Sequence, residues 1–186
     1  MSHLASGARW NLTGTSHVKN LTASSMGGRS VFDMTRTASS DKLTIDNFSG
    51  KGYFLYGNTV TTTHDPDTET DVKHVTVNGG EIHVKKAAAG SAITLHTDAK
   101  TNATGGWNWT TSGTPAEKNL TSAVVKQLAN KLYYEDAAAN GSNLALTVKV
   151  GEGLTTSSTA RTYTKSDGLR YNASTGQADY VYTPVP

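Results

Sequence analysis

Cysteine is absent, charged residues make up only 17% of the 186 residues, and no long apolar run occurs. Without thiols the chain can build neither a disulfide framework nor a structural zinc–thiolate site. Without a long apolar run it offers no membrane-spanning helix. Lys and Arg are scattered, with Lys85-Lys86 the densest pair and a formal net charge of +2. Nucleic-acid binding needs clustered cations, so nucleic acid is not an expected partner. Residues 1–9 lack the apolar core of a signal peptide and are read as a disordered start.

With so little charge, the surface must be covered by neutral polar groups, and Thr, Ser, Asn and 18 Gly fill that role. β-branched Thr fits a pleated, half-wet surface with many turns. An apolar–Thr–apolar triplet recurs at Leu43-Thr44-Ile45, Val75-Thr76-Val77, Ile93-Thr94-Leu95 and Leu146-Thr147-Val148, with a degenerate copy at Leu21-Thr22. Each of the Leu21, Leu43 and Val75 copies is followed by a Gly-containing corner and a second apolar stretch: Val31-Phe32, Tyr53-Phe54-Leu55 and Ile82-His83-Val84. A period of about 20 residues with insertions at one corner points to a solenoid. Leu43, Ile45, Val75 and Val77 would then face inward, leaving Thr44 and Thr76 outside. An antiparallel sandwich uses the same alternation and stays open as the rival.

Residues 113–141 break the pattern. Thr114-Pro115-Ala116-Glu117 reads as a capping box with Pro at the first helical position. Leu120, Val124, Leu128 and Leu132 follow at four-residue spacing, predicting an amphipathic helix that ends near Asn140-Gly141. Its apolar stripe needs a partner surface, so it is expected to dock on the β-structure or cover its end. Residues 142–186 read as a small C-terminal β-segment with a Pro-containing linker. There Leu146-Thr147-Val148 is expected either in the same stack or in a separate sheet. The expected fold is mainly β: a right-handed parallel β-helix over 10–112, one docked helix, and that C-terminal segment.

The run Trp10-Asn11-Leu12-Thr13-Gly14-Thr15-Ser16-His17-Val18-Lys19-Asn20-Leu21-Thr22, followed by Lys42-Leu43-Thr44-Ile45-Asp46-Asn47-Phe48-Ser49-Gly50, resembles pertactin-like passenger domains of bacterial autotransporters. The likeness covers roughly the first hundred residues. It implies a right-handed parallel β-helix displayed outside the outer membrane, at the bacterial cell surface or in the extracellular space. It also implies a structural or adhesive role, with the remainder of a longer passenger chain and surface glycans or proteins as partners. Neither a signal peptide nor a run of outer-membrane barrel strands is evident, so the chain is expected to be a passenger fragment.

Candidate chemistry is sparse, and no catalytic, metal or cofactor site is expected. Trp107 and Trp109 share one strand face and could form a platform for sugar rings, although large aromatics are more often buried. Asp65, Asp67, Glu69 and Asp71 alternate in a polar loop where hard cations could bind, but a solvated corner insertion explains them as well. His74 and His83 have no third ligand nearby in sequence. The alternative function is a glycan-processing β-helix enzyme, for which Asp33, Arg36, Glu81 and Lys85 could supply groove groups. A purely structural spacer is the other.

Overall fold

A computed structural model describes residues 2–4, 7–24, 30–98, 123–150, 161–164, 169–171 and 178–180. The protein is mainly β. The strands are β1 (Ser2–Leu4), β2 (Arg9–Asn11), β3 (Ser16–Ala23), β4 (Val31–Asp33), β5 (Lys42–Asp65), β6 (Thr70–Asn78), β7 (Glu81–Ala87) and β8 (Ser91–Thr97). Helix α1 covers residues 123–129. It is followed by β9 (Leu132–Tyr134), the short α2 (Ala137–Asn140), β10 (Leu144–Val150), β11 (Arg161–Thr164), β12 (Leu169–Tyr171) and β13 (Ala178–Tyr180).

The chain alternates between two ladders. The first runs β1, β3, the start of β5, β7 and β9, every pair parallel. The second runs β2, β4, the middle of β5, β8 and β10, again all parallel. Parallel pairing rules out the antiparallel sandwich for these strands. Each visit pairs in register with the last, so side chains of like character stack. Ile93, Thr94 and Leu95 lie opposite Leu146, Thr147 and Val148.

The interior is filled by such rows. Leu43, Ile82 and Leu132 form one, and Ile45, Val84 and Tyr134 another, all of them buried. Opposite them, Phe32 stacks on Phe54 with ring centroids 4.6 Å apart. Trp10, Leu95 and Val148 extend that row. Thr44 faces outward between buried Leu43 and Ile45, as the alternation predicts. Between Ile45 and Phe48, however, two successive residues face out, and the same happens at Lys85 and Lys86 between Val84 and Ala87. The first ladder therefore bends at a fixed place. β5 passes straight from one ladder to the other at Gly50, whose φ is +87°. A Cβ there would stand 1.9 Å from the Ala23 carbonyl oxygen, so only glycine fits.

Several sequence expectations shift. Residues 1–9 are not wholly unstructured: Ser2–Leu4 pairs with Leu21–Ala23, and Arg9 opens β2. Val75-Thr76-Val77 belongs to neither ladder. It lies on the return strand of an antiparallel arm in which Gly57–Asp65 pairs with β6. Leu146-Thr147-Val148, by contrast, joins the second ladder, which therefore continues past residue 112. The helical stripe does not run on to Asn140. Leu132–Tyr134 is a strand, because its Leu and aromatic residues complete the rows begun by Ile82 and Val84. The capping box at Thr114–Glu117 and Leu120 lie outside the described residues.

Helix α1 packs on the arm. Val124, Val125, Leu128 and Ala129 are fully buried. Gln127 donates to the Val75 carbonyl and accepts from the Val77 amide, both at 2.8 Å. One side-chain amide thus takes the place of a neighbouring strand on the free edge of β6. Lys131 Nζ donates to the Gly79 carbonyl at 2.8 Å, tying the helix end to the corner where the arm returns. Near the C-terminus β11 pairs antiparallel with β10, and β12 with β13.

The Phe54→Ala substitution empties a fully buried position in the stacked row. It should cost about 3–5 kcal/mol in urea unfolding. A loss below about 1 kcal/mol would contradict this packing.

Candidate functional site

The bend in the first ladder displays polar side chains in register. Asn20, Asn47 and Lys86 occupy one row across three strands, and Thr22 and Ser49 a second. Asn47 Nδ2 donates to Asn20 Oδ1 at 3.0 Å and to the Lys19 carbonyl at 3.3 Å. The Thr22 and Ser49 hydroxyls lie 3.0 Å apart. Beside these rows runs an open groove of about 410 Å³, with exposed Ala88 at its wall and buried Phe48 and Ala87 beneath it. Asn20 and Thr22 on β3 and Asn47 and Ser49 on β5 can donate and accept hydrogen bonds, while Lys86 on β7 only donates and supplies a cation.

The charges around it are unequal. Lys85 Nζ is 2.9 Å from Asp46, and His17 Nε2 reaches the same carboxylate oxygen at 2.9 Å. The bonds from Lys85 and His17 hold the Asp46 carboxyl below the usual range, and Asp46 in turn raises the Lys85 ammonium. Among the described residues no ion pair engages Lys19 or Lys86, and both are exposed.

Two further polar clusters were invisible in the sequence. The Tyr53 hydroxyl is 2.6 Å from His96 Nδ1, and His96 Nε2 is 3.1 Å from Asp98. An ionised carboxylate only accepts, so Nε2 donates to Asp98, while Nδ1 and the Tyr53 hydroxyl share a hydrogen bond. Both ring nitrogens are engaged and the ring is fully buried, which suits a structural role. The residues are 43 apart in the chain, so only the pairing of β5 with β8 reveals them. In the second cluster Asp33 binds Arg9 and accepts from the Thr35 hydroxyl at 2.5 Å and the Thr35 amide at 2.9 Å.

The sequence candidates scatter. Trp107 and Trp109 lie outside the described residues. Asp33 sits on the second ladder, whereas Glu81 and Lys85 sit on the first, and Arg36 is exposed in the turn after β4. Glu81 is occupied by His83 at 2.8 Å and by the Tyr133 hydroxyl at 3.3 Å. His83 and Tyr133 stack with ring centroids 4.4 Å apart. His74 is on the arm, 3.0 Å from Thr63, far in topology from His83.

Asp65, Asp67, Glu69 and Asp71 do not share an extended face, because residues 66–69 turn the arm's tip and Glu69 adopts a φ of 52°. His64 pairs with Asp71 at 3.1 Å and Glu69 at 3.6 Å. The Asp67 amide donates to Asp65 at 2.9 Å, which with the Thr68 hydroxyl holds the Asp65 carboxyl low. Among the described residues no group of three or more His, Asp or Glu could hold a metal ion. Nor is any described helix long and apolar enough to cross a membrane.

Compared with known proteins, the chain matches no family model, no curated sequence and no solved structure. The reading of its function therefore rests on geometry and on the residues themselves.

Asp33 yields a pH prediction. Burial pushes its carboxyl up, but the bonds from Thr35 and Arg9 outweigh that and leave it below its ordinary 3.8. A depressed folded value stabilises the protein above the unfolded value, and that stability is lost as pH falls through the folded one. Asp33→Asn should cost about 1–3 kcal/mol at neutral pH. The variant should also lose less stability than the parent between roughly pH 4 and pH 2. Parallel acid limbs in urea midpoints of the two proteins would refute this assignment.

Proposed function

We propose that the chain is a surface-displayed passenger segment of the bacterial autotransporter kind, folded as a right-handed parallel β-helix and serving as a structural or adhesive module. The alternation of the chain between two in-register parallel ladders carries this reading. A parallel pair needs a crossover, and crossovers between parallel strands are right-handed in nearly every known case. Repeating that step stacks coil upon coil, with insertions confined to corners. The antiparallel arm between Gly57 and Asn78 has the form of such a corner insertion.

The resemblance of residues 10–50 to pertactin-like passengers supplies the route to the surface. Absence of cysteine suits a chain that crosses an outer membrane before it folds. Adhesion is favoured over catalysis because Asp33, Glu81 and Lys85 are divided between two ladders and each has its own structural partner. Carboxylates of a hydrolase must instead flank one bond.

The test is display. Joined to an outer-membrane barrel translocator in a Gram-negative host, residues 1–186 should become accessible to protease on intact cells. Those cells should be retained on immobilised glycans in an array format. A folded chain that stays inside the cell, or displayed cells that bind no glycan or protein surface, would remove the display or the adhesive half of the reading respectively.

A further inference from the structure

We infer that the groove beside the bend of the first ladder, lined by Asn20, Thr22, Asn47, Ser49 and Lys86, binds an acidic oligosaccharide. The inference rests on the adhesive reading and names the ligand class for it. Three observations lead there. The first is hydrogen-bonding capacity. Asn47 spends its Nδ2 on Asn20 and Lys19, and Asn20 spends its Oδ1 on Asn47. Asn20 Nδ2 and Asn47 Oδ1 remain for an outside partner. A donor and an acceptor side by side match adjacent sugar hydroxyls, each of which is both.

The second is repetition. Adjacent strands lie about 4.8 Å apart, a length comparable to one sugar ring. A linear oligosaccharide lying across the strands meets a fresh polar group at each: Asn20 and Thr22, then Asn47 and Ser49, then Lys86. Exposed Ala88 in the groove wall offers a small apolar surface to the C–H face of a ring. The backbone of these strands is already consumed by ladder pairing, so a peptide could not add there as a strand.

The third is charge. Lys85 is matched by Asp46, whereas Lys86 projects into the groove wall and Lys19 lies next to Asn20, neither in an ion pair among the described residues. That leaves a positive surplus on a wall otherwise neutral. A carboxylated saccharide satisfies it; a neutral one leaves Lys86 unmatched.

The experiment is calorimetric titration of the whole chain with tetragalacturonate, with its fully methyl-esterified form, and with an oligoglutamate of equal charge. Tetragalacturonate should bind most tightly. Lys86→Ala should weaken it about tenfold, the size of one charge-assisted hydrogen bond. The exposed Lys42→Ala, outside the groove, should leave it unchanged. Ser49→Ala should weaken the acidic and esterified sugars alike. Equal binding of oligoglutamate would overturn the saccharide assignment. Equal binding of the esterified sugar would overturn the acidic one. Tetragalacturonate binding indifferent to both Lys86→Ala and Ser49→Ala would overturn the groove while leaving adhesion intact. If neither tetragalacturonate nor any arrayed glycan is bound, the inference and its adhesive premise fall together.

Discussion

Everything in this protein depends on in-register parallel pairing between successive passes of the chain. Each ladder strand directs its amides and carbonyls along the stack to alternate sides, and each must be met by the preceding or the following pass. Once Leu43 is opposite Ile82, and Ile82 opposite Leu132, the identities of whole rows are constrained together. A single-residue slip would send every inward side chain to the surface. The chain can therefore vary in length only where it leaves the ladders. The arm from Gly57 to Asn78 is one such place. Helix α1, ahead of β9, is another.

A stack of strands has open edges, and these are handled locally. On the arm, Gln127 satisfies one carbonyl and one amide of β6 with its side chain alone. In the second ladder β10 receives β11 in antiparallel fashion, changing the direction of pairing where the parallel run stops. Helix α1 was expected to lie on the β-structure or over its end, and its partner is the arm. Val75 and Val77 share one buried apolar cluster with Val124, Val125 and Leu128 of the helix, so the hydrophobic face of the two-stranded arm is kept from water. Arm and helix thus depend on each other, although they are far apart in sequence.

That dependence explains what the sequence could and could not disclose. Alternation of apolar and polar residues is a local signal, and it placed Leu43, Ile45, Val75 and Val77 inside and Thr44 and Thr76 outside. It is blind to direction. Val75-Thr76-Val77 alternates like a ladder strand, yet it pairs antiparallel because a short turn at 66–69 lets the chain fold back at once. Leu128 and Leu132 keep helical spacing across a real boundary, because one closes the helix face and the other fills a ladder row. Tyr53, His96 and Asp98 gave no signal at all, since their meeting requires the register of β5 on β8. Lys86, in the densest basic pair of the chain, was conspicuous as composition. Its place in a row with two asparagines was not.

The asparagine row shows how a structural device presents polar groups at a surface. A carboxamide carries two donor hydrogens and an acceptor with two lone pairs, and a row along the stack needs only part of that set. Asn20 and Asn47 stabilise the bend by facing each other, and the geometry that lets them do so holds their unused groups outward on a rigid backbone. Extending the row with a third asparagine would add another structural hydrogen bond. Lysine at position 86 forgoes that bond and replaces it with a long, solvated cation at the same register position. Its exposed side chain gains little in folding from a charge that forms no ion pair among the described residues. On the inferred role of the groove, the choice is understood from outside the protein, as the cation that would meet an acidic ligand.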